Sequence, residues 1–396
     1  MLKGYDCIVI GGGIIGLSCA YHLAKSNKSV LVLERDDIGS GTSGACDHMI
    51  LLQSKAPGLP LKLAMSSLEI YREWQSELEE DIEFATRGGM ILIDKPEHIP
   101  VMEDFVKRQR SIGLNVEILD KKQIKKKQPW INDNVIASTY SPDDSQVNPF
   151  RVLFALLKKS AKLGVELIRN AEVVEIRKNS YFWEVRTSSN QSYNSHIVVN
   201  AAGVWSGKVA SLVGFNLPIR PKRGQIVVTE PIEEIGETDA WDANYIISKH
   251  LSHFDRDEIS KRLGLGFAMS RTHSGNYLIG STREYVGFNK STTYEALQAI
   301  IRRAVELFPI FSKVRIIRSF AGLRPACEDG KYIIGEDPSN SGFFIATGHE
   351  GDGIALAPIT GKLVSDLICG RKPVFEIDEI SPSRFYSQIT SGIVNK

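Results

Sequence analysis

The chain has 396 residues, with 48 Lys and Arg against 47 Asp and Glu, a formal net charge of +1 and 42% hydrophobic residues. That length exceeds one typical domain and suffices to bury a large cofactor, while the balanced charge gives no reason to expect a nucleic-acid partner. Five cysteines, Cys7, Cys19, Cys46, Cys327 and Cys369, stand far apart without metal-ligand spacing; reduced, mostly buried thiols and no metal site are expected.

Met1 leads directly into a strand pattern, without the charged lead, apolar stretch and cleavage site of a secretory signal, so a cytoplasmic protein is expected. No apolar run approaches the ~20 residues of a transmembrane helix. Residues 6–10 read as a buried strand, followed by Gly11, Gly13 and Gly16, a helix through Ala20, Leu23 and Ala24, and a second strand over 29–33 that ends at Glu34. This is a right-handed βαβ unit with Gly-x-Gly-x-x-Gly between strand and helix. Gly11 permits the tight turn, Gly13 lets backbone approach a pyrophosphate, Gly16 allows close helix–sheet packing, and the helix N-terminus favours the phosphate charge. Glu34 stands where an acidic side chain accepts hydrogen bonds from ribose hydroxyls, which disfavours a 2′-phosphorylated dinucleotide.

A packing helix is predicted over 61–78, a strand over 90–93 and a helix over 98–112. The basic run 121–127 alternates with Gln123 and Ile124 and reads as a solvated helix face. Helix over 150–163, strand over 166–168 and an antiparallel pair within 171–186 follow, then a strand 197–200 entering Ala201-Ala202-Gly203. Residues 218–283 suit a second, sheet-based domain. An amphipathic helix over 293–308, a strand over 342–346, a glycine-rich turn over 347–353 and a helix over 354–368 complete the chain.

Gly11 to Arg35, Gly41-Thr42-Ser43-Gly44-Ala45, Asn200-Ala201-Ala202-Gly203-Val204-Trp205, Gly322-Leu323-Arg324-Pro325 and Gly348-His349-Glu350-Gly351-Asp352-Gly353 occur in that order. Together they resemble the D-amino-acid oxidase and glycine oxidase family, over nearly the whole chain. The resemblance implies FAD as cofactor and an α/β fold, α+β overall, in which a Rossmann-type FAD-binding domain of the glutathione reductase kind joins a sheet-based substrate domain. Residues 1–88, 143–214 and 316–380 are expected in the FAD-binding domain, and 89–142 with 215–315 in the substrate domain. Within the family, the wording from Gly348 to Leu356 and from Asn276 to Glu284 resembles the flavoprotein subunits of hydrogen cyanide synthase, opine oxidase and heteromeric proline or hydroxyproline dehydrogenases. An electron-transfer partner subunit or a homo-oligomer is therefore implied.

The expected cofactor-binding residues are Gly11, Gly13, Ile15, Gly16, Glu34, Arg35, Thr42, Ser43, Gly44, Met49, Val173, Ala201, Gly203, Trp205, Gly322, Gly348, Gly351, Asp352, Gly353 and Ile354. The turn at 348–353 precedes a helix, so backbone N–H groups and the helix dipole face charge developing on a reduced flavin. Glycine oxidases carry a carboxylate-gripping arginine where Gly351 stands. Arg324 is then the best candidate for that role, because a guanidinium offers bidentate recognition, although a structural salt bridge explains an arginine there equally well. His48 is expected beside the flavin ring, Met49 against it, and His349 near the cofactor, held by hydrogen bonding. Cys46 and His48 keep covalent attachment open. Lys249, His250 and Arg283 are further pocket candidates.

The expected reaction is oxidation of the C–N bond of a small amino or imino acid (glycine, sarcosine, proline, hydroxyproline, a D-amino acid or an opine), by hydride transfer from Cα to flavin N5. Sarcosine oxidases place an oxygen-activating lysine where this chain has Leu278, which favours a dehydrogenase. The alternatives are a hydroxy-acid or glycerol-phosphate dehydrogenase, and a non-catalytic FAD-bearing subunit.

Overall fold

The run Cys7-Ile8-Val9-Ile10 forms the buried end of the strand Gly4–Ile10, and both of its faces are covered, as a central parallel strand requires. Its parallel neighbours are Val30–Leu33 on one side and Ser192–Asn200 on the other, with Glu166–Ile168 beyond the first and Phe343–Thr347 beyond the second. The computed structural model describes residues 4–250 and 257–386. Val173–Lys178 and Trp183–Thr187 form an antiparallel hairpin against the start of Ser192–Asn200, and Ile333–Glu336 pairs antiparallel with Phe343–Thr347.

Because side chains alternate along a strand, Cys7 and Val9 face one layer while Ile8 and Ile10 face the other. The first layer holds the helices Ile14–Lys25, Leu59–Glu77, Pro149–Lys162 and Gly353–Ile368, through Leu17, Leu61, Val152 and Leu356 among others. The second holds the hairpin, through Ile176, Trp183 and Val185. Truncating a fully buried side chain in this core, such as Leu17→Ala, would cost about 2–5 kcal/mol.

A second sheet of eight strands runs in the order Ile316–Cys327, Ile219–Thr229, Tyr277–Gly280, Ala268–Arg271, Asp239–Asp242, Gly89–Ile93, Ala137–Ser141, Glu117–Asp120. The helix Tyr294–Leu307, capped by Thr293, packs on it through Ile300 and Ala304. Two features differ from the sequence expectation. The strand Ile316–Cys327, expected with the first domain, pairs along its length with Ile219–Thr229 in the second sheet. The stretch expected to be sheet also contains the short helices Ala243–His250 and Glu258–Leu263. The basic helix Lys121–Lys127 carries an Asp120–Gln123 capping box and buries Ile124.

Candidate active site

A cleft of about 1590 Å³, counting open solvent at its mouth, runs from the glycine loop across the ends of the parallel strands to the start of the helix Gly353–Ile368. Its elongated course, from the phosphate-type loop to the start of a second helix, suits a dinucleotide. Gly11, Gly13, Ile15, Glu34, Arg35, Thr42, Ser43, Val173, Ala201, Gly203, Trp205, Gly322, Arg324, His349, Gly351, Gly353 and Ile354 all line it.

At the glycine-loop end, Gly11 has φ of 113°, and a Cβ there would lie 2.5 Å from the Ala201 carbonyl oxygen. A Cβ on Gly16 would lie 1.9 Å from the Gly11 carbonyl oxygen, so only glycine lets the helix start this close to the strand. The Glu34 carboxylate accepts from Gly12 N–H at 2.6 Å and from Asp36 N–H at 2.8 Å, which fixes it at the mouth of the loop. Ser43 Oγ accepts from Ile14 N–H at 3.0 Å, while Gly13 caps the helix without any side-chain bond. Ile15, in the same first turn, has no intrahelical carbonyl to donate to. The Arg35 guanidinium lies 4.0 Å over the Trp205 ring, giving a flat cationic wall beside Glu34. Backbone donors for phosphates, an acid for ribose and a half-buried aromatic wall lining the cleft fit the groups that FAD presents.

At the other end, Arg324 on the strand Ile316–Cys327 donates Nη1–H to the Thr282 carbonyl at 2.8 Å and Nη2–H to Ser281 Oγ at 2.7 Å. Its guanidinium lies against Gly224, where a Cβ would come within 2.4 Å of Nη2, and its Nε would be 3.5 Å from a Cβ on Gly351. Thr282 is itself held: its hydroxyl donates to Glu284 at 2.7 Å, and Glu284 pairs with the buried Arg223 at 2.8 Å. Asp47 lines the cleft nearby; desolvation raises its carboxyl above the usual range, against the pull of Arg324. It is half-exposed, but into the cleft, so the surrounding protein still desolvates it.

The turn 348–353 is fixed from behind. His349 Nε2 meets Thr360 Oγ1 at 3.0 Å, its ring stacks on Tyr332 with centroids 5.4 Å apart, and burial lowers its pKa to about 4. Thr360 and the Tyr332 ring thus hold His349 in place behind the turn. Asp352 turns its carboxylate away to Lys55 Nζ, 3.0 Å off.

Several expected residues stand behind the lining. Gly16 packs on Gly11, Gly348 on Ile333, and Met49 lies in a hydrophobic cluster with Ile91, Ile93 and Trp241. His48 and Gly44 line a second cavity that shares Ser43, Ala45 and Cys46 with the first and also contains Leu278, Arg87, Arg271 and Arg318. Burial lowers His48 to about 4 and pushes the Cys46 thiol up to about 12, leaving a neutral imidazole and a protonated thiol. Arg283 is half-buried and lines neither cavity; the side chains of Lys249 and His250 lie outside the described residues. Sequence reasoning missed Asp47, Lys55, Tyr332 and Thr360, because each matters through a partner distant in sequence.

The fold and the cleft together define a flavin-dependent oxidoreductase that takes FAD. The chain belongs to the DAO family of FAD dependent oxidoreductases, whose model matches residues 6–367. It is 29% identical over 379 residues to a glycine oxidase of Bacillus subtilis, covering 94% of this chain and 95% of that one. It is 26% identical to a hydrogen cyanide synthase subunit of Pseudomonas aeruginosa, covering 97% of each. The crystal structure of glycine oxidase from Geobacillus kaustophilus matches with a TM-score of 0.86 at 26% identity, over 96% of this chain and 98% of that one. No helix among the described residues is long and apolar enough to cross a membrane.

Proposed function

We propose that this enzyme oxidises the C–N bond of a small amino or imino acid whose carboxylate is gripped by Arg324. The observation that carries the proposal is the Arg324 guanidinium set against Gly351 at the flavin turn, with two of its five N–H donors engaged by Thr282 and Ser281. Both ends of the turn's environment thus serve one substrate: a cation for its carboxylate and a helix N-terminus for charge arriving on the cofactor. The names of the similar glycine oxidases support the substrate class. FAD, held along the cleft by Gly11, Gly13, Glu34 and Ser43, would supply a two-electron acceptor for the hydride of the substrate Cα. The chain's own part is orientation: His349 is held by Thr360, and a substrate amine that arrives deprotonated needs no side chain to remove its proton.

Residues 1–88, 143–214 and part of 316–380 then hold FAD, while the second sheet closes over the substrate. Leu278 on the wall of the second cavity favours a dehydrogenase that passes electrons to a partner subunit or within a homo-oligomer, and the similarity to a hydrogen cyanide synthase subunit supports such an assembly. Five free cysteines agree with a reducing, cytoplasmic setting.

Dye-coupled turnover with glycine, sarcosine, D- and L-proline, hydroxyproline, D-amino acids and opines, with products identified by mass spectrometry, tests the proposal. A 2-oxo acid or cyclic imine is expected from one of them. Turnover of a hydroxy acid or glycerol phosphate alone would overturn it.

A further inference from the structure

Behind the flavin turn lies an ion pair that the FAD chemistry described above leaves without a role. Lys55, in the loop after the strand Met49–Ile50, is only 2% exposed along its side chain. Its ammonium reaches Asp352 Oδ1 at 3.0 Å, the Leu51 carbonyl at 2.7 Å and Ser54 Oγ at 2.8 Å, which occupies all three N–H donors. Gln109 Nε2 donates to the Lys55 carbonyl at 3.0 Å and holds the loop in place.

Asp352 is the residue immediately before the helix Gly353–Ile368, yet its side chain makes no capping bond to that helix. Besides Lys55, it accepts from the Tyr332 hydroxyl at 3.3 Å, and Tyr332 carries His349 on its ring face. Its neighbours Gly351, Gly353 and Ile354 line the cleft. An unpaired carboxylate here would oppose the positive end of the helix at the point where it faces the cofactor.

A buried ammonium costs several kcal/mol to desolvate, and a well-packed apolar side chain often stabilises a fold as well. The ammonium of Lys55 also bears on the carboxylates of Asp47, at the cleft, and of the buried Asp144. We propose that Lys55 is a positioning residue for the cofactor: by pairing with Asp352 it cancels the negative charge behind the turn and sets how readily bound FAD accepts electrons. This inference rests on FAD occupying the cleft and is independent of the substrate.

The test uses holoenzyme and three variants, Lys55→Met, Asp352→Asn and the double variant. The readouts are the two-electron midpoint potential and the dissociation constant of sulfite, whose adduct with oxidised FAD places negative charge on the ring. Lys55→Met is expected to weaken sulfite binding about tenfold, equivalent to roughly 30 mV for a two-electron couple, and to lower the potential. The double variant should recover most of both. Asp352→Asn alone, which leaves the cation unopposed, should shift both in the opposite direction and keeps the test open if Lys55→Met fails to fold. Unchanged sulfite affinity in the single variants, or a double variant as impaired as Lys55→Met, would show a packing role only and overturn the proposal.

Discussion

Replacing Arg324 by methionine removes the cation while keeping an unbranched side chain in the half-buried space beside Gly224 and Gly351. The protein loses two hydrogen bonds, to the Thr282 carbonyl and to Ser281 Oγ, at about 1 kcal/mol each. The substrate loses a charge-assisted contact of about 1.5–3 kcal/mol, which predicts a 10- to 150-fold rise in its dissociation constant at roughly tenfold per 1.4 kcal/mol. Anaerobic stopped-flow bleaching, followed over a range of substrate concentration, separates that constant from the limiting rate. An amine without a carboxylate serves as the control and should be unaffected. Gly224→Ala offers a second route, since its Cβ would fall 2.4 Å from Arg324 Nη2 and displace the guanidinium with its charge intact; the same shift, smaller in size, is expected. If Arg324→Met retains FAD and changes the constant by less than about threefold, the carboxylate is held elsewhere.

Gly16→Ala forces a Cβ to 1.9 Å from the Gly11 carbonyl oxygen, and the purified variant should be colourless or release FAD, as read from the ratio of flavin to protein absorbance. His349→Gln should lose its disadvantage in acid. The folded His349 has a pKa of about 4, below the unfolded value of 6.5, so the wild-type stability associated with it is complete above pH 6.5 and lost as pH falls toward 4. The wild-type minus variant stability, measured by urea unfolding at fixed FAD, should therefore shrink by about 3 kcal/mol across that window, while His48, Asp47 and Asp144 titrate in both proteins and cancel. Reduced enzyme readmitted to air should recover its colour slowly, because Leu278 stands at the position where sarcosine oxidases carry an oxygen-activating lysine; recovery within seconds would mark an oxidase.

The elements around the parallel sheet were legible because their signals are local. The glycine spacing, the apolar strand ends and the 3.6-residue periods of the helices near 59–77 and 149–162 each act within one element. The second of these helices starts at Pro149, one residue before the expected 150, with Asn148 as its N-cap. The strand Ile316–Cys327 was harder: its partner Ile219–Thr229 lies about a hundred residues earlier, and the Gly-Leu-Arg-Pro wording inside it reads like a turn. Lys55 and Asp47 were invisible for a related reason. Lysine and aspartate are solvated by default, and only the fold shows that one is buried against Asp352 and the other turned into the cleft. The placement of His48 in the second cavity likewise follows from the path of the 43–48 loop, whose residues Ser43, Ala45 and Cys46 form the wall common to both.

In the proposed reaction, FAD takes electrons from the carbon bearing an amine and a carboxylate. Anaerobic addition of the amino- and imino-acid panel to the purified yellow protein tests this most directly. Stoichiometric bleaching of the flavin by at least one member, with no bleaching by the matching hydroxy acid, is the predicted result. Failure of every member to bleach a flavin that dithionite reduces normally would contradict it.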